Sequence, residues 1–140
     1  MYLIDTNVIS EARKQDRANP GVIEFFRHAS EQNEATYLCA VTIGELRRGV
    51  ELIRHRGDVQ QARSLEVWLA YVVGQYADNI LAFDGEAAQV WGRLRVPHPE
   101  HELDKQIAAI ALVNDLTVVT RNSADFNGTG VRLKNPFLSA

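Results

Sequence analysis

The feature that most constrains the fold is a short apolar run at residues 2–4, which ends abruptly in the polar residues Asp5, Thr6 and Asn7. So few large residues cannot form a helix face, and they lack the alternation of a half-buried strand. The run therefore predicts a strand buried on both faces, as in the middle of a parallel sheet. Open α/β sheets bind ligands at the carboxyl ends of such strands, so Asp5 is a candidate site residue. The alternative is that Asp5 only caps the helix that follows, a position that Asp favours.

Strand and helix patterns alternate along the rest of the chain. Further buried strands are predicted at residues 37–41, 79–83, 116–119 and 131–133. Amphipathic helices are predicted between them, including a helix pair over residues 51–77 that is typical of an arm or a dimer face. The alternation predicts one α/β domain over residues 1–140, with a mostly parallel sheet of about five strands flanked by helices.

The composition narrows the class of protein. The fractions of apolar residues, 46%, and charged residues, 24%, are those of a globular protein. Cys39 is the one cysteine, so an internal disulfide is excluded. The sequence has no signal peptide and no apolar run that could span a bilayer, so we expect a cytoplasmic protein without a membrane partner. The net charge of −3 argues against binding nucleic acid through phosphate contacts alone.

Four carboxylates occur where predicted strands end or helices begin. Asp5 and Asp125 follow strands, whereas Glu45 and Asp104 open helices. Strand ends and helix starts lie on the same rim of a parallel sheet, so we expect all four to converge. Structural alternatives exist, because Thr42 and Glu45 have the spacing of a capping box and Asp104 is favourable against the helix dipole.

Four converging anions repel one another, and a divalent cation resolves that conflict. Mg²⁺ or Mn²⁺ prefers hard oxygen ligands, and such an ion can activate water and stabilise charge on a phosphodiester. We expect Thr6, Asn7, Thr120 and Asn122 to hold the carboxylates and the phosphate. The chain has no glycine-rich phosphate loop and no G-x-S-x-G elbow.

Two histidines lie near these acids in a proline-rich loop. The spacing of His98 and His101 matches no zinc pattern, so both are predicted to be loop residues.

The chain resembles the PIN-domain ribonucleases, in particular the VapC-type toxins of type II toxin–antitoxin systems and their FitB-like subgroup. The resemblance extends in order over essentially the whole chain. It rests on these segments: Leu3-Ile4-Asp5-Thr6-Asn7-Val8-Ile9-Ser10-Glu11, Val41-Thr42-Ile43-Gly44-Glu45-Leu46-Arg47-Arg48-Gly49, Asp104-Lys105-Gln106-Ile107-Ala108-Ala109, Val119-Thr120-Arg121-Asn122 with Asp125-Phe126, and residues 128–137.

The resemblance implies an acidic quartet of Asp5, Glu45, Asp104 and Asp125, with Asp5 and Asp104 as the principal ligands of Mg²⁺ or Mn²⁺. It implies hydrolysis of RNA by a homodimer. It also implies inhibition by a cognate VapB- or FitA-like antitoxin, whose tail wraps the toxin and inserts an arginine among the acids. A guanidinium can replace the charge of the metal there. Operator DNA would be bound only through the antitoxin.

Basic residues cluster around the acid-bearing segments, and Arg47, Arg48, Arg93 and Lys105 are the expected RNA contacts. One alternative is a FitB-like partner of a DNA-binding antitoxin that acts in a DNA-bound regulatory complex without cleaving RNA. A flap-type DNA nuclease is disfavoured, because the chain lacks the extra length with which those enzymes thread DNA.

Overall fold

A parallel sheet organises the chain in the computed structural model, which describes residues 1–138. Within those residues five strands lie in the order β3-β2-β1-β4-β5, and every neighbouring pair is parallel. Leu3 of the central strand is in register with Tyr37 on one side and Val118 on the other. The strands are β1 (Tyr2–Ile4), β2 (Thr36–Cys39), β3 (Ile80–Leu81), β4 (Thr117–Val119) and β5 (Leu133–Lys134). The predicted α/β class with a parallel sheet is confirmed.

Helices connect the strands. In the described part of the chain these are α1 (Thr6–Ala12), α2 (Pro20–Glu31), α3 (Ala40–His55), α4 (Val59–Gln75), α5 (Gly85–Leu94) and α6 (Glu102–Val113), with short 3-10 turns at Gln15–Arg17, Ala77–Asn79 and Ser123–Phe126. None of the helices described in residues 1–138 has the length and apolar character needed to cross a membrane.

The core lies on both faces of the sheet. Leu3 belongs to a buried cluster with Ile107, Ile110 and Phe126, which joins the sheet to α6. Its neighbour Ile4 belongs to the other buried cluster, to which helices α1 to α4 contribute. Both strand residues are 0% exposed, as expected for a strand with helices packed on each side.

The prediction that residues 51–77 form a projecting arm, not a crossover, was wrong, whereas the dimer face stays a prediction. Helices α3 and α4 together connect β2 to β3, which are parallel neighbours in the sheet. Ala62, Leu69 and Val72 form a buried stripe on α4 and belong to the core cluster. Their helical spacing turns one face of α4 toward the core, so the pair is the crossover itself.

The predicted capping box at Thr42 does not form, because α3 begins two residues earlier, at Ala40. Cys39 occupies the cap position and makes no side-chain hydrogen bond there. Thr42 is fully buried, and its hydroxyl lies 3.6 Å from the Cys39 sulfur. Glu45 therefore lies in the second turn of α3, where its side chain is free of a capping role.

Candidate active site

Asp5 lies where the chain leaves the sheet. Its backbone N–H donates to the Val119 carbonyl (2.9 Å), after which α1 begins. The carboxylate is nearly buried, at 3% exposure, and accepts three hydrogen bonds. The donors are the Thr6 backbone N–H (2.8 Å), the Thr120 hydroxyl (2.8 Å) and the Asn7 amide (3.3 Å). Asp5 thus does cap α1, and the same bonds fix its carboxylate at the carboxyl edge of the sheet.

The polar residues that follow β1 and β4 form a network around this carboxylate. The Asn7 amide donates to the Thr120 hydroxyl oxygen (3.3 Å) and its oxygen accepts from the Arg121 backbone N–H (3.0 Å). Asn122 contributes its backbone N–H, which donates to the same Thr120 oxygen (3.0 Å). Asn7 and Thr120 therefore hold Asp5 as expected, whereas Asn122 supports it through the backbone.

Glu45 reaches the network from α3. Its Oε1 accepts a hydrogen bond from the Thr6 hydroxyl (3.0 Å). Partial burial raises the pKa of Glu45, the bond from Thr6 opposes that shift, and the charge of Asp5 adds to it. Thr6 therefore links the two carboxylates, because its hydroxyl bonds Glu45 and its backbone N–H bonds Asp5.

Asp104 and Asp125 approach from the other side, accompanied by His101. Asp104 lies in the first turn of α6, and Asp125 lies in the 3-10 turn after β4. One ligand atom from each of these three residues lies within 4.8 Å of the other two. The His101 Nδ1 is 3.8 Å from an Asp104 oxygen and 4.0 Å from an Asp125 oxygen.

The carboxylates act on one another electrostatically. Burial, together with the charges of Asp5, Asp125 and Glu45, raises the pKa of Asp104 to about 6. Burial also raises the pKa of Asp5, against the lowering effect of its three hydrogen bonds, and the charge of Asp125 contributes. The structure therefore brings the four predicted acids to one place.

A comparison with known protein families shows to which family this chain belongs. The model of the PIN domain matches residues 2–130 of this chain. The chain belongs to the PIN-domain family.

Three similar relatives of this PIN domain carry curated names. Plasmid stability protein StbB of Pseudomonas syringae pv. tomato is 32% identical over 144 residues, which are 98% of this chain and 99% of the relative. Toxin FitB of Neisseria gonorrhoeae is 33% identical over 144 residues, with the same two coverages. The VapC ribonuclease Y4jK of Sinorhizobium fredii is 31% identical over 147 residues, with 98% of each covered.

A solved structure gives the same fold. The structure of FitAB bound to an IR36 DNA fragment contains a chain that superposes on this PIN domain with a TM-score of 0.83 at 30% identity. The match covers 100% of this chain and 98% of that chain.

The donor set of the PIN domain fits a divalent cation. Asp104 and Asp125 present carboxylate oxygens within a single small cluster, and the pKa of Asp104 is raised by burial and by repulsion from Asp5, Asp125 and Glu45. Carboxylate oxygens are the ligands that Mg²⁺ and Mn²⁺ prefer, and an imidazole nitrogen such as that of His101 is accepted by several divalent metals.

The structure contradicts the expected RNA contact of Lys105. The side chain is buried, at 5% exposure, and its ammonium donates to the His98 carbonyl. The loop before α6 folds back over Lys105, so this cation anchors the loop and does not face solvent. Its position one residue after Asp104 gave no indication of that burial.

The three arginines expected to bind RNA differ in their surroundings. Arg47 pairs with Glu51 (3.3 Å) and Glu66 (2.6 Å), which ties α3 to α4. Arg48 and Arg93 are exposed on α3 and α5. Only these last two keep the expected exposure without a described ion pair within residues 1–138.

His101 and Thr42 are site residues that the sequence did not reveal. His101 is a loop residue, as predicted, but its backbone, in the left-handed region at φ 59°, turns the chain into α6 and places the imidazole beside Asp104. The spacing of three residues between His101 and Asp104 at a helix start is the signal that could have found it. Thr42 lies behind the acids, 3.5 Å from the Thr6 hydroxyl.

Proposed function

We propose that this PIN domain is a Mg²⁺- or Mn²⁺-dependent endoribonuclease, the toxin of a toxin–antitoxin pair. The observation that carries the proposal is the convergence of Asp5, Glu45, Asp104 and Asp125, with the pKa of Asp104 raised to about 6 by burial and by the other three charges. Two relatives match this chain over nearly their whole length, and one is named a toxin and the other a VapC ribonuclease. These names support RNA as the substrate and a toxin as the role.

Asp5, Asp104 and Asp125 would hold the cation, with Glu45 and His101 at its margin. A divalent cation bound there supplies Lewis acidity, which makes a coordinated water more acidic and offsets charge on a phosphodiester. The three hydrogen bonds to Asp5 orient that carboxylate and favour its ionised form, against the rise in pKa that burial causes. The Thr6 hydroxyl keeps Glu45 beside it.

The chain itself provides the proton acceptor for hydrolysis. Glu45 has a raised pKa and one fixed oxygen, so its carboxylate is suited to take a proton from the attacking water. Thr120 and Asn7 restrict motion of the carboxylates during the reaction, because each hydrogen-bonds both Asp5 and the other. Fixed geometry of this kind lowers the barrier to attack at phosphorus.

The decisive experiment uses the chain purified free of any partner, with Mn²⁺ and a structured RNA. We expect cleavage that EDTA abolishes and that Asp5→Asn reduces by at least about 100-fold, as removal of a charged group from a preorganised site does. Asp115→Asn is the matched control, since Asp115 is exposed and follows the far end of α6. Equal activity of the Asp5→Asn and Asp115→Asn variants would contradict the assignment.

The alternative is a FitB-like partner that acts in a DNA-bound regulatory complex without cleaving RNA. One observation favours it: the similar chain in the FitAB structure is part of a complex bound to DNA. Failure of the purified chain to cleave any RNA, together with operator binding only after a FitA-like antitoxin is added, would support this alternative. Homodimer formation belongs to both proposals, and sedimentation equilibrium of the purified chain measures it.

A further inference from the structure

Arg121 is fixed beside the acids by its backbone. It follows Thr120, whose hydroxyl donates to Asp5, and its own N–H donates to the Asn7 oxygen (3.0 Å). Asn7 in turn donates to the Asp5 carboxylate (3.3 Å). The main chain of Arg121 is thus one side chain away from the carboxylate that ends β1.

The guanidinium of Arg121 is held by an aromatic ring. It lies 4.8 Å from the ring centroid of Phe137, which packs against the core cluster. The segment that carries Phe137 is itself tied down, because the Leu138 backbone N–H donates to the Asn19 side-chain oxygen (3.0 Å) and the Asn19 amide donates back to the Leu138 carbonyl (3.2 Å). Stacking on a fixed ring restricts the long side chain before any ligand arrives.

Among residues 1–138 the charge of Arg121 has no close anionic partner. No carboxylate of residues 1–138 forms an ion pair within 4.0 Å of it, in contrast to Arg132, which pairs with Asp115 (2.9 Å). Hydrogen bonds from Lys14 and from the Asn19 backbone lower the pKa of Glu11, and the charge of Arg121 lowers it further. The guanidinium is therefore within electrostatic range of Glu11 on α1, while the backbone of Arg121 is bonded to Asn7 beside Asp5.

We propose that Arg121 binds a phosphate of the RNA strand next to the phosphodiester that the acids hydrolyse, with Phe137 holding the guanidinium in place. The inference rests on the proposed ribonuclease function. A guanidinium matches the geometry of phosphate oxygens through its fork of N–H donors. A chain of net charge −3 with an acidic site needs a local cation at this edge to attract RNA at all.

The test measures RNA affinity separately from turnover. Fluorescence anisotropy with a labelled RNA, in an Asp5→Asn background, gives the dissociation constant at several salt concentrations. Arg121→Gln should weaken binding about 5- to 20-fold and reduce the slope of log K against log salt by about 1, as expected for one lost phosphate contact. Arg121→Lys should restore the slope and only part of the affinity. Phe137→Leu should weaken binding by a smaller factor and leave the slope unchanged.

Arg132→Gln is the matched control, because it removes the same charge beside Thr117, at the opposite end of β4. In the otherwise unaltered protein, Arg121→Gln should raise KM and leave kcat within about twofold, whereas loss of a purely structural residue lowers kcat and thermal stability together. Equal affinity and slope for Arg121→Gln and Arg132→Gln overturn the inference about Arg121 while cleavage by the unaltered chain still supports the ribonuclease. A chain that neither binds nor cleaves RNA overturns both.

Discussion

Asp5 and Asp104 both carry a carboxylate in a partly or fully buried position, but their surroundings affect its charge differently. Asp5 is the more deeply buried, yet three hydrogen bonds stabilise its charge. Asp104 is less buried, but its pKa rises to about 6 because burial and three neighbouring carboxylates act in one direction and only His101 opposes them. A bound cation would therefore relieve more unfavourable free energy at Asp104 than at Asp5.

The raised pKa of Asp104 predicts how metal-free protein responds to pH. The ordinary pKa is 3.8, and the folded-state pKa is about 6. Because the folded state holds the proton more tightly, the stabilising contribution is full below pH 3.8 and is lost as pH rises through 6. In EDTA, Asp104→Asn should therefore raise the free energy of unfolding at pH 7 by roughly 1 kcal/mol, after discounting the shift for solvent screening.

Urea denaturation at pH 4.5 and pH 7 measures this effect. Asp115→Asn provides the comparison, since the Asp115 side chain is 86% exposed and has no acidic cluster around it. The free energy of unfolding should change differently between pH 4.5 and pH 7 in the unaltered protein and in Asp104→Asn. An equal change in both proteins would show that the pKa of Asp104 is not raised in the folded protein.

The acids could be found from sequence because each lies near the end of a predicted strand or the start of a predicted helix. Asp5 and Asp104 are adjacent in sequence to elements whose apolar patterns are clear, so their edge of the sheet was predictable. His101 and Lys105 were not, because their positions depend on the path of the loop over residues 96–101, and a proline-rich loop has no periodicity to read. The orientation of Arg121 depends on Phe137, which is distant in sequence but adjacent in the fold.

At the scale of elements, the start of α2 depends on a close approach by the chain terminus. Gly21 lies in its first turn, and a Cβ atom built there would lie 2.0 Å from the Pro136 carbonyl oxygen. Backbone cannot give way as a flexible side chain does, so the segment over residues 136–138 must shift. The same segment holds Phe137 under Arg121.

We predict that Gly21→Ala lowers the free energy of unfolding by about 1–3 kcal/mol, the usual cost of overpacking. Gly85→Ala is the matched control, because Gly85 opens α5 and a Cβ there meets nothing within 4 Å. That control should be neutral or slightly stabilising, since alanine is the better helix former. Chemical denaturation of the three proteins measures both values, and an equal effect of the two substitutions would argue against the close approach.

Element types were easier to predict from sequence than element boundaries. The buried stripe of α4 was visible in the sequence as apolar residues at helical spacing. The sequence does not show, however, whether two successive helices project from the domain or pack against its sheet. The start of α3 was misplaced because Thr42 and Glu45 match a capping box, while the actual contacts of both side chains come from Thr6 on α1. A tertiary contact overrode a local pattern.

At the scale of the whole molecule, folding itself creates the charge repulsion. The strand order β3-β2-β1-β4-β5 places the carboxyl ends of all five described strands at one edge, where the junction of β1 and α1, helices α3 and α6, and the turn after β4 each supply an acid. In the unfolded chain these acids are separated by long stretches of sequence and repel only weakly. A cation that binds the assembled site therefore binds the folded state in preference to the unfolded one.

Mn²⁺ should accordingly stabilise the whole protein by mass action. At a concentration 100 times its dissociation constant, the free energy of unfolding should rise by about 2.7 kcal/mol, and EDTA should reverse the rise. Asp104→Asn should lose most of this gain, whereas Asp115→Asn should keep it, because Asp115 pairs with Arg132 away from the cluster. Thermal unfolding monitored by circular dichroism over a Mn²⁺ titration gives the concentration dependence. Because RNA is absent, the measurement separates cation binding from cleavage, and an equal stabilisation of both variants would place the cation elsewhere on the molecule.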